Sequence, residues 1–187
     1  FPNKKERSQI KIREGFLIVA IFWFVLSFFG AIPFLMDESL KFSLVDAIFE
    51  STSGWTTTGA TVISNISDLN KPLLLYRQLL QWLGGIGIVV LVLAILPILG
   101  VGGMYLYKAE TSSPVKDNKL SPRITETAKS LWGVYIILTI ACAVLYKIAG
   151  MSYFDAIGHS FSTVSIGGFS THDESIGFYS SDLIKII

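Results

Sequence analysis

SLVDAIFESTSGWTTTGATV, residues 43–62, and SYFDAIGHSFSTVSIGGFST, residues 152–171, align without gaps at an offset of 109. Seven of the twenty aligned positions are identical, where average residue usage gives roughly one. Each copy follows a long apolar run and precedes another; after the second copy, SDLIKII (181–187) opens such a run. The chain is therefore read as an internal duplication of helix, re-entrant segment, helix, a kind of repeat common in transport proteins.

The composition around the duplication sets the solvent. Of 187 residues, 51% are hydrophobic and 16% charged, with a mean hydropathy of +0.58. A soluble domain carries charge at about one residue in four, and disorder requires low hydrophobicity with high charge. A net charge of +1 offers no footprint for nucleic acid, and Cys142 is the one cysteine, which excludes a disulfide framework and a cysteine-based zinc site. Gly15 to Met36 and Gln78 to Tyr107 contain no charged residue, and each is long enough to cross a hydrocarbon layer of ~30 Å at roughly 1.5 Å per residue. The first run also exceeds a signal-peptide core and has no small-residue cleavage site after it. Ser130 to Tyr146 is a third uncharged run, whose helix is expected to start earlier, with Ser121 as cap and Pro122 at the first helical position.

Ten of the fifteen basic residues fall in two segments, Lys4, Lys5, Arg7, Lys11 and Arg13 before the first span and Lys108, Lys116, Lys119, Arg123 and Lys129 before the third. By the positive-inside rule both segments face the cytoplasm. The segments 37–71 and 147–182 then face outward, with Asp37, Glu38, Asp68, Asp173, Glu174 and Asp182.

Within each copy, Ser43-x-x-Asp46 and Ser152-x-x-Asp155 read as helix starts of the capping-box kind. The helices that follow, about 43–55 and 152–164, are too short to span. They give way to Thr57-Thr58-Gly59-Ala60 and Ile166-Gly167-Gly168-Phe169. A segment that enters and leaves on one side places this irregular backbone partway down the membrane, where it must line water or be buried in protein. A row of backbone carbonyls turned to one axis replaces the hydration shell of an alkali cation without fixed charge. Such turns need unusual backbone angles, which glycine adopts cheaply. Gly59 and Gly168 occupy the aligned position, Gly167 is expected to add freedom, and Thr57 offers a hydroxyl at the inner end. The helices aim their partly negative C-terminal ends at the same place.

Glu50 and His159 share an aligned mid-helix position and are expected to hydrogen-bond the backbone of the turn. Leu83-Gly84-Gly85-Ile86-Gly87 lacks nucleotide-loop spacing and reads as close helix packing. Pro97 with Gly100, Gly102 and Gly103 marks a kink or hinge, and Trp23, Trp82 and Trp132 are interfacial anchors or packing residues. No paired carboxylates, nucleophile with base, or metal-ligand cluster stands out, so an enzyme is not expected.

SGWTTTGATV (53–62), QWLGGIGIVVLVLAILPILGVGGMYLYKAE (81–110), PVKDNKLSPRITETAK (114–129) and HSFSTVSIGGFSTHD (159–173) together resemble the TrkH/KtrB family of potassium uptake proteins, in its TrkH branch. The resemblance implies an all-α membrane protein of four helix–pore-loop–helix repeats around one ion path. Two of the four are expected here: residues 1–110, a cytoplasmic linker 111–129, and a truncated second repeat 130–187. Thr57, Thr58, Gly59 and Ala60 match the family's first filter, and Ile166, Gly167, Gly168 and Phe169 the second. Serine in place of the first filter glycine goes with sodium transport in related plant proteins, so Gly59 favours potassium. Against the family pattern the third and fourth repeats, and two helices before residue 1, are missing, so a fragment of a longer protein is expected.

The resemblance further implies a multi-pass protein of the cytoplasmic membrane, lipid contact, a homodimer, and gating by a cytosolic nucleotide-binding ring of TrkA type. The expected function is potassium uptake through a carbonyl-lined filter, K+ being the transported ion. Two alternatives stay open: a sodium- or proton-coupled symporter or sodium-permeable relative, and a non-conducting scaffold or receptor.

Overall fold

A computed structural model describes residues 12–99 and 120–187. Lys4, Lys5, Arg7 and Lys11, most of the basic linker, and Gly100, Gly102 and Gly103 of the expected hinge lie outside the described residues. Among the described residues every regular element is helical.

Helix α1 runs Ile12–Gly30 and is followed, across Ala31, by the short α2, Ile32–Met36. The apolar run expected as one span is thus two helices. Pro33, in the first turn of α2, has no N–H to donate back to α1, and at a helix start none is needed. Helix α3, Leu44–Trp55, opens on a complete capping box: Ser43 Oγ accepts from the Asp46 N–H and the Asp46 carboxylate accepts from the Ser43 N–H. A 3-10 turn, Ile66–Asp68, precedes α4, Lys71–Leu99. Helix α5 is described from Leu120 to Ile148, so Ser121 and Pro122 sit in its first turn rather than as cap and first residue. The described helix thus holds two residues ahead of Pro122, which stays in a first turn, where its missing N–H costs nothing. Helix α6, Tyr153–Val164, a 3-10 turn, Ser175–Phe178, and α7, Asp182–Ile186, complete the chain.

Among the described residues three segments are long and apolar enough to cross a membrane: Arg13–Met36, Lys71–Leu91 and Glu126–Ile148. Helices α3 and α6, each 12 residues, reach only about 18 Å at 1.5 Å per residue. They are held by the long helices. Helix α3 packs between α1 and α4, α6 between α5 and α4, so α4 touches both short helices. The aligned residues Ala47 and Ala156 are both buried, one with Phe34, Leu73 and Leu80, the other with Cys142, Tyr146 and Met151. The outer faces of α1 and α5 stay apolar and open, with Phe24 and Ile137 about two-thirds exposed or more (72% and 67%). Such a face is stable only against lipid or further apolar protein.

Candidate functional site

Both short helices end in the same way. Thr57 N–H donates to the Gly54 carbonyl and Thr58 N–H to that of Ser53, while Ile166 N–H donates to Thr163 and Gly167 N–H to Ser162. This pair of bonds is the Schellman ending, which puts one residue in the left-handed region, usually glycine. Here those residues are Thr57 (φ 54°) and Ile166 (φ 56°), both β-branched. A β-branched residue there is strained, at a cost on the order of 1–3 kcal/mol. The duplication of that strain at aligned positions marks the turn as functional rather than incidental.

Two residues on, Gly59 (φ 76°) and Gly168 (φ 86°) also take positive angles, while Thr58 and Gly167 between them do not. Alternation of hand along consecutive residues turns successive carbonyls toward one side, as a carbonyl-lined path requires. The two turns lie against each other. A Cβ added to Gly59 would overlap the Gly167 carbonyl oxygen, and the nearest neighbour of one added to Gly168 is the Gly59 Cα at 4.0 Å. A groove of about 250 Å³ opens beside the second turn, lined by Ser162, Ile166, Gly168 and Phe169 among others. The structure therefore brings the segment Thr57, Thr58, Gly59 and Ala60 against the segment Ile166, Gly167, Gly168 and Phe169 at one point, where Gly59 meets Gly167 and Gly168.

Gly167 departs from its expected role. Its φ is not positive, so conformational freedom is not the reason for glycine there. A Cβ at Gly167 would run into the amide group of Gln81 on α4. The missing side chain makes room, and Gln81 Nε2 donates to the Gly167 carbonyl at 2.7 Å.

Behind the turns, the aligned polar residues play matching parts. The Thr61 hydroxyl donates to Glu50 at 2.9 Å, and Val62 N–H donates to the same carboxylate at 3.1 Å. In the second copy, His159 Nε2 lies 3.0 Å from the hydroxyl of Ser170, the residue aligned to Thr61. His159 Nδ1 lies 2.9 Å from the Asp155 carbonyl. A carbonyl only accepts, so Nδ1 carries the proton and Nε2 of the neutral ring accepts from Ser170. The ring is buried, and exclusion of water favours that neutral form. Thr61 Oγ1 and Ser170 Oγ then each accept the N–H two residues on, from Ile63 and His172. The expected bonds to the backbone of the turn itself are thus replaced by bonds to the segment that leaves it. They run from Glu50 to the Thr61 hydroxyl and Val62 N–H and from His159 to the Ser170 hydroxyl, because each mid-helix side chain lies level with that segment.

What the sequence reading did not find is the face of α4. Arg77, Gln78 and Gln81 are fully buried. Arg77 Nε donates to Glu50 at 2.8 Å, Nη2 to the Thr61 hydroxyl at 3.1 Å and Nη1 to the Ser170 carbonyl at 3.4 Å. Its guanidinium also lies 4.2 Å from the Phe169 ring centre, a cation–π contact. One turn further, Gln81 Oε1 accepts from the Ser162 hydroxyl at 2.7 Å and the Phe169 N–H at 3.1 Å. A further turn on, a Cβ at Gly84 would overlap the Trp55 carbonyl, and one at Gly85 would press on Ser165. Residues 77, 81 and 84–85 share one helix face, which clasps the exits, the turn and the ends of both short helices. The only signal in the sequence was the spacing of Arg77 and Gln81 beside paired glycines in an otherwise apolar helix, since intramembrane polar groups need partners.

Other polar groups lie farther out. The Asp173 carboxylate, expected on the outward side, accepts the Ile66 and Ser67 N–H groups at 2.6 and 3.2 Å. The Ile66 bond, then those to Ser67, hold this exposed group below the usual carboxylate range. Asp155 does more than cap: it accepts the Ser152 and Thr171 hydroxyls at 2.7 Å each and lies 3.5 Å from His172 Nε2. Burial alone would raise its pKa, but the bonds from Ser152 and Thr171 bring it below the ordinary value. Trp82 donates to the Thr139 hydroxyl and packs with Trp132, Tyr135 and Phe161, and Trp23 packs on Trp55. All three candidate tryptophans therefore pack against other aromatic rings, Trp23 and Trp82 half-buried and Trp132 still exposed on its outer side.

Comparison with known proteins places this arrangement among transporters. The TrkH family profile, described as a cation transport protein, matches residues 1–187. The Trk system potassium uptake protein TrkH of Escherichia coli K12 is 59% identical over 187 residues, all of this chain and 39% of that protein. TrkG of the same strain, also named a Trk system potassium uptake protein, is 48% identical over the same shares. The crystal structure of the potassium transporter TrkH from Vibrio parahaemolyticus superposes with a TM-score of 0.81 at 52% identity, covering the whole chain and 36% of that structure. The chain spans about two-fifths of the length of the curated relatives it matches.

Proposed function

Because this chain belongs to the TrkH family of cation transport proteins, we propose that it supplies two of four quarters of a pore for potassium uptake. The wall of the path is made by residues 57–60 and 166–169. The observation that carries this reading is the repeated alternation of backbone hand, Thr57 with Gly59 and Ile166 with Gly168, at the ends of two aligned short helices. Potassium sheds part of its water, is held by carbonyls of these segments, and passes inward to a vestibule faced by the helix C-termini, whose partial negative charge favours a cation. The Gly167 oxygen is already engaged by Gln81, so Gly167 contributes chiefly the course of the turn.

The setting is the cytoplasmic membrane, with residues 1–13 and the 108–129 segment inside and the short helices entering from outside. A homodimer and a cytosolic nucleotide-binding regulatory ring of TrkA type complete the assembly. No catalytic residue is assigned. Rubidium or potassium flux into vesicles carrying the full-length protein tests the reading, and absence of flux overturns it. Gly59→Ser is expected to lower potassium over sodium selectivity in reversal-potential measurements. An unchanged ratio removes Gly59 from the filter.

A further inference from the structure

We propose that Gln81 is a selectivity-determining positioning residue, which sets the course of the second filter turn from the first repeat's long helix. The inference rests on the pore reading above and goes beyond it by assigning a role to a residue that does not line the path. The Gln81 side chain is fully buried and its amide is nearly saturated. Nε2 donates to the Gly167 carbonyl, and Oε1 accepts both the Ser162 hydroxyl and the Phe169 N–H. Those three groups lie at the last turn of α6, within the turn, and at its exit. One planar amide therefore fixes the spacing of the backbone on both sides of Gly168.

Two further observations argue that the fit is built in. Glycine at 167 is explained by the space Gln81 occupies and not by its backbone angle. Among the described residues the first turn shows no such clamp: position 58, aligned to Gly167, is a threonine whose hydroxyl bonds that of Thr56. Among those residues, a side chain from the other repeat bonds the second turn and not the first. If the amide is lost, the Gly167 carbonyl and Phe169 N–H are buried without partners, and the cheapest remedy is to rotate the peptide toward the aqueous path. That would change the oxygens offered to the ion without unfolding the domain.

The test is the potassium-to-sodium permeability ratio of the full-length protein. Gln81→Leu is expected to lower it about fivefold or more, the effect of one net hydrogen bond, while the protein still reaches the membrane and carries flux. Gln81→Met, unbranched and of similar length, replaces it if the leucine variant does not fold. Gln81→Glu keeps the shape and both acceptor contacts and loses the N–H. Its ratio should be low in alkali, where the carboxylate is ionised, and rise as the pH falls and a protonated carboxyl can donate to Gly167, a response that loss of packing does not produce. A wild-type ratio in the folded leucine or methionine variant overturns the assignment. Absence of flux in the unmodified protein instead overturns the pore reading on which it rests.

Discussion

The two turns share a backbone and differ in what holds it. Each has a short helix ended by a β-branched residue in the left-handed region, then a glycine of positive φ two positions on. Each ties the departing segment to a mid-helix polar side chain. Yet the first uses a carboxylate, Glu50, in a buried ion pair with Arg77, and the second a neutral imidazole, His159, with an amide clamp from Gln81. The duplicated feature is the conformation, because the carbonyl geometry is set there. The fastening differs because one helix, α4, lies between the copies and presents each with a different residue of a single face.

The largest way to break that comparison is at Arg77. It serves both copies, bonding Glu50 and Thr61 in the first and Ser170 in the second. Arg77→Met leaves Glu50 buried without its charge partner, at a cost of about 3–5 kcal/mol. Thermal unfolding of the purified protein in detergent should show it, and adding Glu50→Gln should restore part of the loss. A stability equal to the parent in Arg77→Met alone would mean the ion pair holds nothing.

The glycines sharpen the comparison at an intermediate level. Alanine at either Gly59 or Gly168 meets the left-handed penalty of about 1–2 kcal/mol. At Gly59 it also overlaps the Gly167 carbonyl, whereas at Gly168 it comes only to ordinary contact distance of the Gly59 Cα, so overpacking adds about 1–3 kcal/mol at Gly59 only. Gly59→Ala should therefore be the less stable of the two by thermal unfolding, and the reverse order would show that the turns do not abut as described.

The smallest effect lies at Asp173, which ties the second copy's exit to the 3-10 turn after the first. Its carboxyl is held below 3.8 by the Ile66 N–H first of all. A depressed pKa stabilises the fold above the ordinary value, and that contribution is lost as pH falls through the folded value. Asp173→Asn should slightly lower the melting temperature at neutral pH and flatten its decline below about pH 4. An identical acid limb in both proteins would remove Asp173 from the link.

The parts legible beforehand are those set by near neighbours in sequence. The apolar runs, the capping serines Ser43 and Ser152 and the glycines Gly59 and Gly168 depend on residues within a few positions. The roles of Gly167 and of the strained Thr57 and Ile166 are not legible, because intrinsic backbone preference gives the left-handed angle to glycine and denies it to β-branched residues. That preference was overridden by the Gln81 contact in one case and the helix-ending bonds in the other.

By itself, then, the sequence determined the solvent, the duplication and the places where two short helices must stop. These follow from hydropathy over a membrane thickness and from local backbone sterics, which every residue carries with it. Tertiary structure alone decided that Arg77 reaches residues 27 and 93 positions away and that Gln81 reaches one 86 positions away. A buried polar group must find a partner where water is excluded, but which partner it finds depends on how the helices pack, and no local pattern records that.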